Sequence, residues 1–70
     1  MTISEAIKII RLKLNMTQED LARAISTTSA TVNRWENNKV KPNRMATTVL
    51  VNFCEENEIE KELIDVIRRR

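Results

Sequence analysis

The chain has no glycine, no histidine and no tyrosine, and only one proline and one cysteine. Without glycine, any corner needing a left-handed backbone falls to another residue, and asparagine tolerates that best. Without histidine there is no convincing zinc set, and the lone Cys54 cannot close an internal disulfide. Cys54 reads instead as a small buried hydrophobe on a helix. No cofactor and no enzyme are expected: glycine-rich phosphate loops and paired carboxylates in a cleft are missing, and seventy residues leave little chain for a pocket. No apolar run approaches a membrane span, and no basic-then-apolar signal region opens the chain, so the expected location is the cytoplasm. Alternating apolar and polar runs long enough for strands are absent too.

What remains is rich in helix formers, and the expected fold class is all-α, a compact five-helix bundle forming one domain over 1–70. Ile3, Ile7, Ile10 and Leu14 recur at helical spacing and predict a first helix over about 3–14, closed by Asn15 in the left-handed conformation. Ile9 and Leu12 lie off that stripe, either as scattered surface groups or as cover for the C-terminal segment. Thr17 is a good N-cap with Asp20 at N3, a variant of the capping box, and Leu21, Ala22 and Ile25 form the next apolar face. Ser26-Thr27-Thr28 breaks the pattern with hydroxyls that compete for backbone groups, which favours a turn and a new cap at Thr28.

The helix over 28–37 buries Val32 and Trp35. Its outer face holds Ser29, Ala30, Thr31, Asn33, Arg34 and Asn37, with no carboxylate before Glu36. Short side chains let a helix approach another surface closely. Asn and Arg suit bidentate contact with adenine and guanine edges. Two short helices joined by a tight corner, the second with such a face, form the layout that enters the DNA major groove.

The residues of about 7 to 54 resemble the Cro/C1-type helix-turn-helix of phage repressors and XRE-type bacterial regulators. The matching pieces are Ile10-Arg11, Met16-Thr17-Gln18-Glu19-Asp20-Leu21-Ala22, Thr28, Val32, Arg34-Trp35-Glu36, Lys39 and Lys41-Pro42. The resemblance implies double-stranded DNA as partner and a regulator, expected to be a repressor, with this helix in the major groove. Base contacts are expected from Ser29, Ala30, Thr31, Asn33 and Arg34. Gln18, Thr28, Asn37, Lys39, Lys41 and Arg44 are expected at phosphates, Gln18 because a helix N-terminus suits an anion and the lysines through salt-sensitive charge. Arg11 and Glu36 are implied as a structural ion pair, and Arg23 serves either phosphate or solvent. Two departures bear on docking: Ser26 stands where glycine is usual and Thr27 where an apolar residue is.

Charge is uneven in the same sense. Residues 1–54 carry eight Lys/Arg against four Asp/Glu, and residues 55–70 carry four against six. The fourth helix is expected to turn Met45, Val49, Leu50, Phe53 and Cys54 inward, and 55–58 to be a connection. Ile59, Leu63, Val66 and Ile67 make a fifth amphipathic helix whose arc Ile64 widens. Similar repressors dimerise near this end, so a homodimer through the C-terminal helix, using Ile64, is expected on an inverted repeat. The tail Arg68-Arg69-Arg70 is a cap, a DNA contact or a solvated end. The competing reading is an antitoxin-like or adaptor module of the same fold, which would not need Arg34, Lys39 and Lys41 on one side.

Overall fold

The computed structural model describes residues 1–69, so Arg70 of the arginine tail lies outside the described residues. Over that span the chain forms α1 (Ile3–Lys13), α2 (Gln18–Ala24), α3 (Ser29–Glu36), α4 (Arg44–Glu56) and α5 (Lys61–Arg68), and no strand. The all-α expectation holds. α3 packs against α2 and α1, and α5 packs against α4 and α1, so α1 links the two halves.

The starts of α1 to α4 are set by side chains, whereas α5 has no side-chain cap. Thr17 accepts from the Asp20 amide while Asp20 accepts from the Thr17 amide, closing the capping box. Thr2 and Glu5 do the same for α1, a box not anticipated from the pattern. Thr28 and Asn43 cap α3 and α4 singly.

The ends of α1 to α4 use one device. Asn15, Ser26, Asn38 and Glu58 have φ of 58°, 62°, 60° and 57°. After each of α1 to α4, a paired set of backbone bonds closes the last turn, as in Thr27 N–H to the Ala22 carbonyl at 2.8 Å and Ser26 N–H to the Arg23 carbonyl at 3.4 Å. A glycine-free chain thus makes four Schellman turns. Asparagine fits that conformation well, whereas a left-handed Ser26 or Glu58 costs about 1 kcal/mol through its Cβ. Ser26 therefore takes the strained corner rather than a different turn.

The core starts from Ala6, Ile7 and Ile10 of α1, which meet Leu21 and Ala22 of α2 and Val32 and Trp35 of α3. Two expectations are corrected. α4 turns Thr47, Leu50, Val51 and Cys54 inward, while Met45 is 78% exposed and Val49 is also on the surface. These four fall at i, i+3, i+4 and i+7, so one stripe satisfies α4, and Met45 and Val49 lie beside it. Ile64, expected on a dimer face, is only 7% exposed and belongs to the core with Leu63, Val66 and Ile67. The wide arc of α5 is used up inside the bundle, because α5 is covered by both α1 and α4. Ile9 packs against the core, whereas Leu12 is exposed. Burial pushes the Cys54 thiol to about 11, with Glu55 adding to the rise, which makes it an inert packing group.

Glu58 is exposed and far in sequence from α2 and α3, so it isolates the backbone cost. Glu58→Gly should raise the unfolding free energy by about 1 kcal/mol in urea titrations and the midpoint temperature by roughly 4–8 °C. Asn15→Gly should change both less.

Candidate nucleic-acid interface

Three helices meet at one ion pair. Arg11 of α1 donates through Nε to Glu36 Oε2 at 2.7 Å and through Nη2 to Oε1 at 3.0 Å, a bidentate fork. Its Nη1 donates to the Met16 carbonyl at 2.9 Å, tying in the turn before α2. The side chains are 12% and 5% exposed. Burial pushes the Glu36 carboxyl up. Hydrogen bonds from Arg11 and Gln18 and the charges of Arg11 and Lys8 more than offset this and hold it below its ordinary 4.5. Arg11 is raised above its usual value by the hydrogen bond to Glu36. The pair expected from the resemblance is therefore formed.

From that pair a string of amides runs outward. Gln18, first residue of α2, donates through Nε2 to Glu36 Oε1 at 3.1 Å. Its Oε1 accepts from Asn33 Nδ2 at 3.3 Å, and Asn33 Oδ1 accepts from Asn37 Nδ2 at 2.9 Å. So Gln18, expected at a phosphate, and Asn33, expected at a base, are bonded to one another. Each keeps one amide N–H free.

Around the axis of α3, Ser29, Ala30, Asn33, Arg34 and Asn37 are exposed on one side, opposite the buried Val32 and Trp35. Thr31 departs from this grouping. At 100° per residue it lies nearly opposite Asn33, is half-buried, and its hydroxyl is 3.0 Å from that of Thr28. Thr28 and Thr31 form a capping cluster at the start of α3, with the Thr31 amide donating to Thr28 at 3.2 Å.

The electrostatics follow the same division. α1, α2 and α5 carry an acidic residue in the first turn, whereas α3 and α4 carry none. Their positive N-terminal ends are left unneutralised. Arg34, Lys39, Lys41 and Arg44 are exposed, and among the described residues none is in an ion pair. Lys13 and Arg68 are paired with Glu60 and Glu55, and Arg23 with Asp20 and Glu19. Arg23, left open between phosphate and solvent, is held by its own helix. The loop after α3 is anchored by the buried Pro42 and by Ser4, whose hydroxyl donates to Asn38 Oδ1 at 3.2 Å. Sequence reasoning did not find Ser4: a small polar residue on a helix carries no signal until the loop it meets is in place.

Comparison with known proteins agrees with this geometry. The family model described as helix-turn-helix matches residues 7–44, which span α1 from Ile7, α2, α3 and the loop to the start of α4. A type II methyltransferase of Lactococcus lactis subsp. cremoris is 39% identical over 56 residues, covering 76% of this chain. The match takes in only 14% of that enzyme's length. No solved structure matches the chain.

The buried pair yields a pH signature. A folded Glu36 that titrates below 4.5 contributes fully above that value, and its contribution is lost as pH falls through the lowered folded value. Arg11→Met leaves the buried carboxylate without its counter-charge, held only by the Gln18 amide, and should cost about 3 kcal/mol at neutral pH. In acid, protonation removes the stranded charge, so the gap to wild type should narrow. Urea unfolding of both proteins at neutral pH and in acid checks this.

Proposed function

The chain belongs to the Cro/C1-type helix-turn-helix family of DNA-binding domains, and on that premise we propose that it is a sequence-specific transcriptional repressor. One observation carries the reading: α3 turns Ala30, Asn33, Arg34 and Asn37 outward as a single carboxylate-free face. In this reading 1–70 is one DNA-binding domain, and α3 lies in the major groove. Asn33 and Arg34 read base edges, Ala30 meets a thymine methyl, and Ser29 serves base or phosphate. Thr31, turned toward the cap, contributes by holding Thr28 rather than by reaching a base. Gln18, Thr28, Asn37, Lys39, Lys41 and Arg44 hold phosphates on either side, supplying affinity without sequence information.

The reading includes a two-fold homodimer on an inverted repeat. Because Ile64 is spent in the core, the C-terminal helix would pair through exposed residues such as Lys61, Glu62 and Asp65. Methyl transfer is not carried over from the methyltransferase, since the match falls on a small part of it. What the matched segment supplies is the helix-turn-helix.

Selection of bound duplexes from a random pool at two salt concentrations tests this. It should enrich an inverted repeat with half-site centres about one helical turn apart. Arg34→Ala should then relax one position per half-site, whereas Lys39→Ala and Lys41→Ala should each lower the log–log salt slope by about 1. Absence of binding by the wild type at moderate salt would overturn the reading in favour of a protein-binding module.

A further inference from the structure

The hydrogen-bonded string from Glu36 to Asn37 has a direction, and that direction is dictated at its buried end. An ionised carboxylate only accepts. Glu36 is held by the Arg11 fork, so the Gln18 amide that meets it must present Nε2, at 3.1 Å. Gln18 Oε1 then points the other way and can only accept, so Asn33 must meet it with Nδ2, at 3.3 Å. That turns Asn33 Oδ1 toward the Asn37 Nδ2, at 2.9 Å. An isolated asparagine amide presents donor and acceptor in either order, since its terminal torsion is roughly two-fold. Here one order is selected. Asn33 still has one N–H and one carbonyl lone pair unused, and its side chain is exposed.

We infer that Glu36, acting through Gln18, fixes which way round Asn33 presents its donor and acceptor, and thereby which strand of an A·T pair Asn33 reads. This rests on the DNA-binding reading above. Across the major groove an A·T pair shows N7 as acceptor, N6 as donor, O4 of thymine as acceptor, then the methyl group. A donor followed by an acceptor matches N7 and N6 of an adenine on one strand. Reversing the pair puts the methyl group where N7 was, and the ordered amide loses both bonds. An amide free to turn can still donate to the thymine O4 of the reversed pair, so it discriminates less. Gln18 and Glu36 are positioning residues: neither needs to touch the base. Asn37, at the outer end, takes its direction from Asn33 and does not set it.

The test uses duplexes that differ only by A·T against T·A at one position. That position is the one whose preference disappears in Asn33→Ala in the random-pool selection. Wild type should prefer one orientation by roughly tenfold, and Gln18→Leu should reduce this to within about threefold, with Gln18→Met as a second variant of similar size. Removal of a phosphate contact at Gln18 weakens binding to both duplexes equally and leaves the ratio alone. Asn37→Ala should do that, lowering affinity while keeping the orientation preference. A wild-type ratio retained in both Gln18 variants would overturn the inference while the DNA-binding reading stands. Loss of the ratio in Asn37→Ala to the same extent would also overturn it, because the order would not originate at Glu36. Failure of the wild type to prefer any sequence would instead remove the DNA-binding reading itself.

Discussion

The fork between Arg11 and Glu36 is the constraint on which the candidate interface depends. It joins the last turn of α1 to the last residue of α3 and, through the Met16 carbonyl, to the turn before α2. Burying two charges is costly, and a pair of this kind offsets the cost only with good geometry and satisfied donors. Both conditions hold: the contact is bidentate, and no buried side-chain polar atom among the described residues lacks a partner. Its chief effect is angular. A bidentate fork fixes direction as well as distance. Apolar contacts such as Ile10 and Val32 are non-directional and would tolerate some rotation of α3.

The helix ends carry the second constraint. Four left-handed residues turn the chain sharply after α1 to α4, and none is glycine. At Ser26 the strained conformation places Thr28 to cap α3, so the corner and the start of the exposed helix are a single unit. The stability given up there is small against the requirement that α3 leave α2 at a defined angle.

Much of this was legible beforehand. The helices follow from apolar spacing and caps, and the left-handed Asn15 follows from what asparagine allows. Arg11–Glu36 was reachable only through the resemblance, because charges 25 residues apart in a chain carry no pairing signal of their own. The misreadings share a cause. Met45, Val49 and Ile64 all lie on helices with more apolar residues than one stripe needs, and spacing cannot say which edge of a wide stripe is covered. That depends on where the neighbouring helices lie.

The sequence by itself determined the class of fold, the inward stripe of α1 and the carboxylate-free character of the α3 face, since these depend on residue type and local spacing. It did not determine that Gln18, Asn33 and Asn37 are joined in one directed string, or that Thr31 leaves the exposed face for the cap. Amides and hydroxyls donate and accept equally well, so their partners and their order are chosen only once packing places a one-way acceptor, Glu36, at the end of the string.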